Sequence, residues 1–174
     1  KVMITSTADQ TQQPCYVILP RGYEKSDNVD KIPLLISLHS WSAGLEQAKP
    51  VLEKQAAKLG WIYVFPHFRG PNQTPAACGS ELAQQDILDA VVWAKQNYRV
   101  DHSRIYLTGA SGGGHMTMLM VSRHPEIWTA ASAWVGISDL TQWYTLHEKS
   151  RYGDMMRKSC GGAPGDSVIV DAQY

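Results

Sequence analysis

The sequence lacks any apolar run near the roughly 20 consecutive residues that a helix needs to cross a bilayer. Its first ten residues also lack the apolar core of a signal segment. Neither sign of charge is in excess, since 16 Lys and Arg stand against 16 Asp and Glu. Nucleic acids and anionic membranes select a basic footprint, so neither is expected as a partner. Cysteines are few: Cys15, Cys78 and Cys160 have no zinc-type spacing. No metal or organic cofactor is implied. Repeats and low-complexity tracts are missing too, which excludes solenoids and disordered tails. The first residue is not methionine, and the compartment stays open.

What is present is enough for one domain with a real core: 174 residues, 44% of them apolar. Strand-like and helix-like runs alternate, the pattern of a mostly parallel α/β sheet with helices on both faces. Residues 2–6 and 15–19 are short β-rich runs, with Cys15 as a buried small hydrophobe. Pro20, Gly22 and the polar stretch 24–31 form a loop. Residues 32–39 read as a buried strand, and 45–59 as a helix that starts or kinks at Pro50. A strand follows at 61–66, then a Gly/Pro/Asn loop at 69–79. Ser80 is placed to cap a helix over 81–98, with Asp86 and Asp89 on its polar face. Residues 104–108 form a strand, 112–124 a helix stopped by Pro125, 129–135 a strand and 139–147 a helix. After Arg151 the chain reads as Gly-rich and irregular until 168–170.

The chemistry concentrates where the 104–108 strand meets the 112–124 helix. Gly109-Ala110-Ser111-Gly112-Gly113 contains Gly-x-Ser-x-Gly. Alone the pattern is weak, because glycine and serine are common; a strand leading in and a helix leading out make it specific. A strand-to-helix turn of this kind is sharp, leaves no room for side chains at the flanking positions, and lifts a serine hydroxyl above the end of the sheet. The bland alternative is a glycine-rich helix start that merely turns or binds phosphate. With Ser111 as a nucleophile, the Gly112 N–H is one oxyanion donor, aided by the helix N-terminus. The second is expected from the loop after the 32–38 strand, His39-Ser40-Trp41-Ser42-Ala43-Gly44, with the Trp41 N–H as candidate. His39 reads as a structural residue bonding backbone under that loop.

With these residues quoted, the chain resembles the prolyl-oligopeptidase-like and esterase branch of the α/β-hydrolase superfamily. Residues 34–44 resemble its strand and oxyanion loop, and Pro66-His67-Phe68-Arg69-Gly70 resembles its Pro-Asp-Phe-Arg-Gly segment, with His67 in place of aspartate. Residues 100–105 resemble the approach to the nucleophile strand, 109–115 the elbow, and Arg123-His124-Pro125 the end of the following helix. Ser40 departs from the glycine that usually follows the histidine. The resemblance covers most of the chain. It implies an α/β-hydrolase fold and acyl-bond hydrolysis through an acyl-enzyme on Ser111.

In such proteins the order is serine, acid, histidine, with the last two on strands beyond the one at 129–135. Neither strand is evident before Tyr174, so the last strands, the acid and the histidine are expected to lie outside these residues. The 129–135 run carries no charge or proline to discourage pairing, and a complementary C-terminal segment or a homodimer is expected at its edge. Asp139 stands where a minority of related enzymes carry the acid, and equally where an N-cap belongs. Tyr23, Trp41, Trp143, Tyr144 and Tyr152 either line a substrate cleft or pack ordinarily. Cys78 and Cys160 lie in loops that leave the sheet at its C-terminal edge. A disulfide between them, with Cys15 free, staples the rim of the site and implies an oxidising compartment, secreted or periplasmic. The first reading is a serine hydrolase of small esters or acylated polymers. A serine peptidase of the same branch and a non-catalytic binding domain of the same fold are the rivals.

Overall fold

The computed structural model describes residues 1–23, 30–47 and 50–174. Residues 24–29 of the polar stretch and 48–49 of the 45–59 helical run lie outside the described residues. In chain order the elements are β1 (Val2–Thr5), β2 (Gln12–Ile18), β3 (Ile32–Leu38), α1 (Pro50–Lys58), β4 (Ile62–Pro66) and α2 (Glu81–Asn97). They continue with β5 (Val100–Ala110), α3 (Gly112–Arg123), β6 (Ala130–Trp134), α4 (Leu140–His147), α5 (Arg151–Cys160) and α6 (Val168–Asp171).

The strands form one sheet in the order β1-β2-β4-β3-β5-β6. β4, β3, β5 and β6 run parallel, while β2 joins antiparallel to both β1 and β4. Strand alternation sorts side chains onto two faces. Leu34, Ile36, Ile62, Val64, Ile105 and Leu107 face a core with Ile87 and Val91 of α2 and Met116 and Met120 of α3. Tyr63 and Phe65 face a smaller core with Leu35 and with Leu52 and Ala56 of α1. Helices therefore cover both faces, as the alternating pattern predicts. α1 begins at Pro50, where a missing N–H costs nothing. Ser80 caps α2 by accepting from the Ala83 N–H at 3.1 Å.

Two expectations are corrected. The stretch after Arg151 is not irregular: α5 is helical, capped by the Ser150 hydroxyl and ended by Gly161 in the left-handed conformation. Its Gly153 looks like a breaker but is a contact residue, since a Cβ there would lie 2.4 Å from the Glu148 carbonyl oxygen. Residues 168–170 fall in the short helix α6. Asp86 and Asp89 are buried rather than on a polar face. Asp89 accepts from the Thr7 N–H and hydroxyl, and Asp86 from Ser6 and Arg69. Helical periodicity registers them as polar because their partners lie outside α2, Ser6 and Thr7 about 80 residues away and Arg69 17.

β5 also starts earlier than the 104–108 run, pairing Val100 with Ile32 across a register shift that accommodates its polar start. β6 is the outer strand and pairs only with β5 among the described residues; all five of its residues are exposed, Trp134 by 65%.

Candidate active site

β5 delivers the chain to Ser111 at the C-terminal end of the parallel strands, and α3 begins at the next residue. Ser111 has φ 57° and ψ −119°, a region that costs a non-glycine residue about 1–3 kcal/mol. Its surroundings hold it there. Its N–H donates to the Trp134 carbonyl at 2.9 Å, and its own carbonyl accepts from His115 N–H at 2.9 Å. A Cβ on Gly109 would lie 2.2 Å from the Gly113 carbonyl oxygen, and one on Gly113 would lie 2.6 Å from that of Leu38. The two motif glycines thus let α3 start directly against the ends of β3 and β5. Gly114 makes the same allowance toward β6, where a Cβ would lie 2.7 Å from the Trp134 carbonyl oxygen.

The predicted oxyanion loop and the elbow are in contact. A Cβ on Gly112 would stand 2.4 Å from the Trp41 backbone nitrogen. Among the described residues, neither the Trp41 N–H nor the Gly112 N–H donates to a backbone or side-chain acceptor outside regular helix and strand bonding. Gly112 opens α3, so no intrahelical acceptor exists for it. Two bare donors therefore sit side by side next to Ser111, the arrangement that receives a developing negative charge on oxygen. Trp41 itself is only 1% exposed, and its indole N–H has no partner among the described residues. Packing alone fixes the ring.

The sequence reading missed the residues that shape this loop. Gln47 clasps Ser40, accepting from its N–H at 2.7 Å and donating to its hydroxyl at 2.5 Å. The hydroxyl half of that clasp is a bond that glycine at position 40 would lack. Asn72 is buried in the loop after β4; its N–H donates to the Trp41 carbonyl at 2.8 Å, and its side-chain oxygen accepts from the Cys78 N–H at 3.0 Å. An Asn in a Gly/Pro-rich loop is the signal that marks such a side-chain-to-backbone tie.

The histidines are all placed. His39 is buried, stacks on Phe68 at 3.8 Å, and faces the carbonyls of Ser40 and His67 at 3.1 and 2.7 Å. Its structural role is as expected, and burial pushes its pKa down to about 4. The His67 ring fills the space between Gly44 and Gly70, and its Nδ1 accepts from the Leu45 N–H at 3.3 Å. His115 bonds the Ile137 carbonyl at 2.9 Å through Nδ1. Burial lowers the pKa values of His67 and His115 as well. His147 packs on Trp143 and Tyr152. His102 is exposed in the first half of β5, and His124 caps the end of α3, about 20 Å along the helix from Ser111. No side chain among the described residues hydrogen-bonds the Ser111 hydroxyl.

These depressed pKa values have a measurable consequence. Each group binds its proton more weakly folded than unfolded, so stability is full above about pH 6.5 and falls as pH drops toward 4. His39 alone is worth about 3 kcal/mol over that window. Burial raises the Asp86 carboxyl and acts in the opposite sense at the acid end. Urea titrations at pH 7 and pH 4.5 are expected to show the loss, and His39→Gln to flatten it. A flat wild-type profile rules it out.

Asp139 is exposed at the carboxyl end of β6 and caps α4, accepting from the Gln142 N–H at 2.8 Å. Trp41, Trp143, Tyr144 and Tyr152 pack together with Ile137, Leu140, Met155 and Met156, so α4 and α5 form a second small core over the oxyanion loop. Tyr23 is not part of it: it packs edge-on against Tyr98 and accepts from the Arg99 N–H, at the opposite end of β5. A cleft of about 350 Å³ runs between Ser42, Pro71 and Gln73 on one side and Arg151, Asp154, Met155 and Lys158 of α5 on the other. No group of three or more His, Cys, Asp or Glu among the described residues is arranged to hold a metal, and no described helix is long and apolar enough to cross a membrane.

Residues 51–162 match the family described as "Prolyl oligopeptidase family". An acetylxylan esterase of Coprinopsis cinerea is 38% identical over 130 residues, covering 64% of this chain and 33% of that protein. Feruloyl esterase B of Neurospora crassa is 29% identical over 125 residues, covering 62% and 40%. The chain thus spans between a third and two fifths of the length of these two relatives. Among solved structures, an acylaminoacyl peptidase of Pyrococcus horikoshii superposes with a TM-score of 0.76 at 19% identity, covering 99% of this chain and 28% of that one.

Proposed function

The chain belongs to the prolyl oligopeptidase family and has the α/β-hydrolase fold, and from that premise we propose that it carries the nucleophile and oxyanion hole of a serine carboxylic-ester hydrolase. The observation that carries the reading is the strained Ser111 beside two unpaired backbone N–H groups, those of Trp41 and Gly112. Ser111 Oγ attacks the ester carbonyl carbon as a general base takes its proton. The carbonyl oxygen becomes an oxyanion between the two N–H groups, and the alcohol leaves with the proton. Water then releases the acid from the acyl-serine. In this reading residues 1–174 act as one domain, and a histidine and an acid outside them supply base and orienter. The Asp139 carboxylate is engaged on the Gln142 N–H, which supports its capping role over an acid role.

The esterase names of the two sequence relatives favour an ester over a peptide, and an acyl group on a carbohydrate polymer as the substrate class. The test is covalent. A fluorophosphonate probe on the full-length protein is expected to give one adduct, on the peptide containing Ser111, together with turnover of p-nitrophenyl acetate over aminoacyl anilides. An adduct elsewhere, or none on folded protein, removes the nucleophile assignment; preferred anilide turnover converts the esterase to a peptidase.

The oxyanion assignment has its own test. An alanine Cβ at position 112 would collide with the Trp41 backbone nitrogen, and the two donors would have to part. Gly112→Ala is expected to lower kcat about 10²–10³-fold with little change in KM, the usual loss for one oxyanion donor. An unaltered kcat would take Trp41 and Gly112 out of the reaction.

A further inference from the structure

The cleft between the oxyanion loop and α5 takes no part in the bond-making steps at Ser111, yet its walls continue the frame around Trp41. Ser42 directly follows Trp41. Pro71 precedes Asn72, whose N–H holds the Trp41 carbonyl. Met155 of α5 shares the small core of Trp41. Cys78 and Cys160 carry free thiols in this structure, so the expected bridge between them does not fasten α5; packing in that core does.

The charge of the cleft is one-sided. Arg151 and Lys158 both line it, about 10 Å apart along α5. Asp154 lies between them, but Arg157 takes its carboxylate, and that arginine is also bonded to the Tyr144 hydroxyl and the Glu148 carbonyl. No ion pair among the described residues involves Arg151 or Lys158. Lys158 stands in the last turn of α5, where the helix dipole favours a cation. Arg151 opens the same helix, at the end where the dipole repels positive charge. Tyr152 nevertheless holds it there. The guanidinium lies 4.9 Å from the ring centroid, and its NH2 donates to the tyrosine hydroxyl at 3.1 Å. Tyr152 is itself packed against Trp143 and His147. Helix stability does not explain an arginine fixed at this position; an anionic ligand does.

We propose that this cleft binds the carboxylate of a uronic-acid unit in an acylated carbohydrate polymer. The proposal rests on the ester-hydrolase reading for the reacting group and adds the charge of the polymer that carries it. Arg151 offers a carboxylate the planar fork of its guanidinium, and Lys158 adds a second positive charge. Ser42 and Gln73 bring hydrogen-bonding side chains for sugar hydroxyls, while Pro71 and Met155 supply apolar surface for the C–H face of a ring. The volume of about 350 Å³ is in the range of a small-ligand site. An acidic peptide would meet the same two cations, but the substrate class proposed above favours a sugar acid.

The experiment is calorimetric binding at low salt to the full-length protein carrying Ser111→Ala, so turnover plays no part. Trigalacturonate is expected to bind about tenfold more tightly than xylotriose, a neutral chain of equal length, and to lose that margin as salt is added. Lys158→Gln should weaken trigalacturonate about threefold and Lys158→Glu about tenfold, while Lys158→Arg keeps the affinity. Xylotriose should bind equally to all of them, which a loss of folding would not allow. Arg151→Gln is expected to weaken the acid alone in the same way. Equal affinity for the two trisaccharides, or unchanged trigalacturonate binding in Lys158→Glu, would overturn the proposal. Tighter binding of triglutamate than of trigalacturonate would give the cleft to an acidic peptide and overturn it as well. Absence of ester turnover by the wild type would end the hydrolase reading alone, because binding is read without it.

Discussion

Ser111→Ala is expected to lower ester turnover of the full-length protein by about 10⁶-fold, down to the residual rate that binding and an oxyanion hole sustain without a nucleophile. The same change should leave stability within about 0.5 kcal/mol of wild type. Both halves follow from the geometry. The Ser111 hydroxyl makes no capping bond to α3, so alanine removes no structural hydrogen bond. Alanine suffers the same strain at φ 57° as serine does, so the backbone penalty is unchanged. What disappears is the one oxygen that can form the acyl-enzyme. Steady-state kinetics on p-nitrophenyl acetate and a urea titration of both proteins check the pair of expectations. Turnover within tenfold of wild type would end the nucleophile assignment. A large stability loss would mean that the hydroxyl holds the elbow together.

The elbow was legible in the sequence because its causes are local. A strand pattern, two small residues that backbone crowding demands, and a helix pattern all fall within about 20 positions. The mostly parallel sheet and both helical layers followed from the same local alternation. What escaped the reading depends on contacts distant along the chain. Asp86 and Asp89 obey helical spacing for a solvent face, yet they face Ser6, Thr7 and Arg69. The stretch after Arg151 read as Gly-rich and irregular, because nothing near Gly153 in sequence shows that α5 must pass close to the Glu148 carbonyl. Tyr23 joined the cleft candidates by residue type alone, and the structure moves it to Tyr98 at the other end of β5. Ser40 looked like a departure from the expected loop until Gln47, seven positions on, was seen to hold both its N–H and its hydroxyl. The resemblance aligned the Arg69 segment without giving the arginine a task, and the task is large.

Arg69→Ala is expected to destabilise the protein by about 3–5 kcal/mol, a large share of the 5–15 kcal/mol that holds a typical domain folded. The Asp86 side chain is 1% exposed. Arg69 meets it with two nitrogens, Nε at 2.7 Å and NH2 at 2.9 Å, and turns NH1 at 2.7 Å to Asp9 in the turn after β1. Ser6 donates to the same Asp86 carboxylate at 2.6 Å. One guanidinium thus ties the β4–α2 loop, helix α2 and the N-terminal turn together, and bonds to Asp9 and Asp86 raise its pKa above the ordinary arginine value. The pair Asp9–Arg69 is partly exposed, so solvent screens it and it adds little. The cost arises at Asp86. Without Arg69 that carboxylate keeps only the Ser6 hydroxyl, and burial already pushes its pKa upward. The orphaned group will escape the penalty by taking a proton. The destabilisation should therefore be larger at pH 8 than at pH 5, and Asp86→Asn added to Arg69→Ala should recover part of it. Urea titrations of the four proteins of this cycle at the two pH values provide the measurement. A pH-independent loss, or one below about 1 kcal/mol, would show that packing of the arginine stem, and not its charge on Asp86, is what the fold requires.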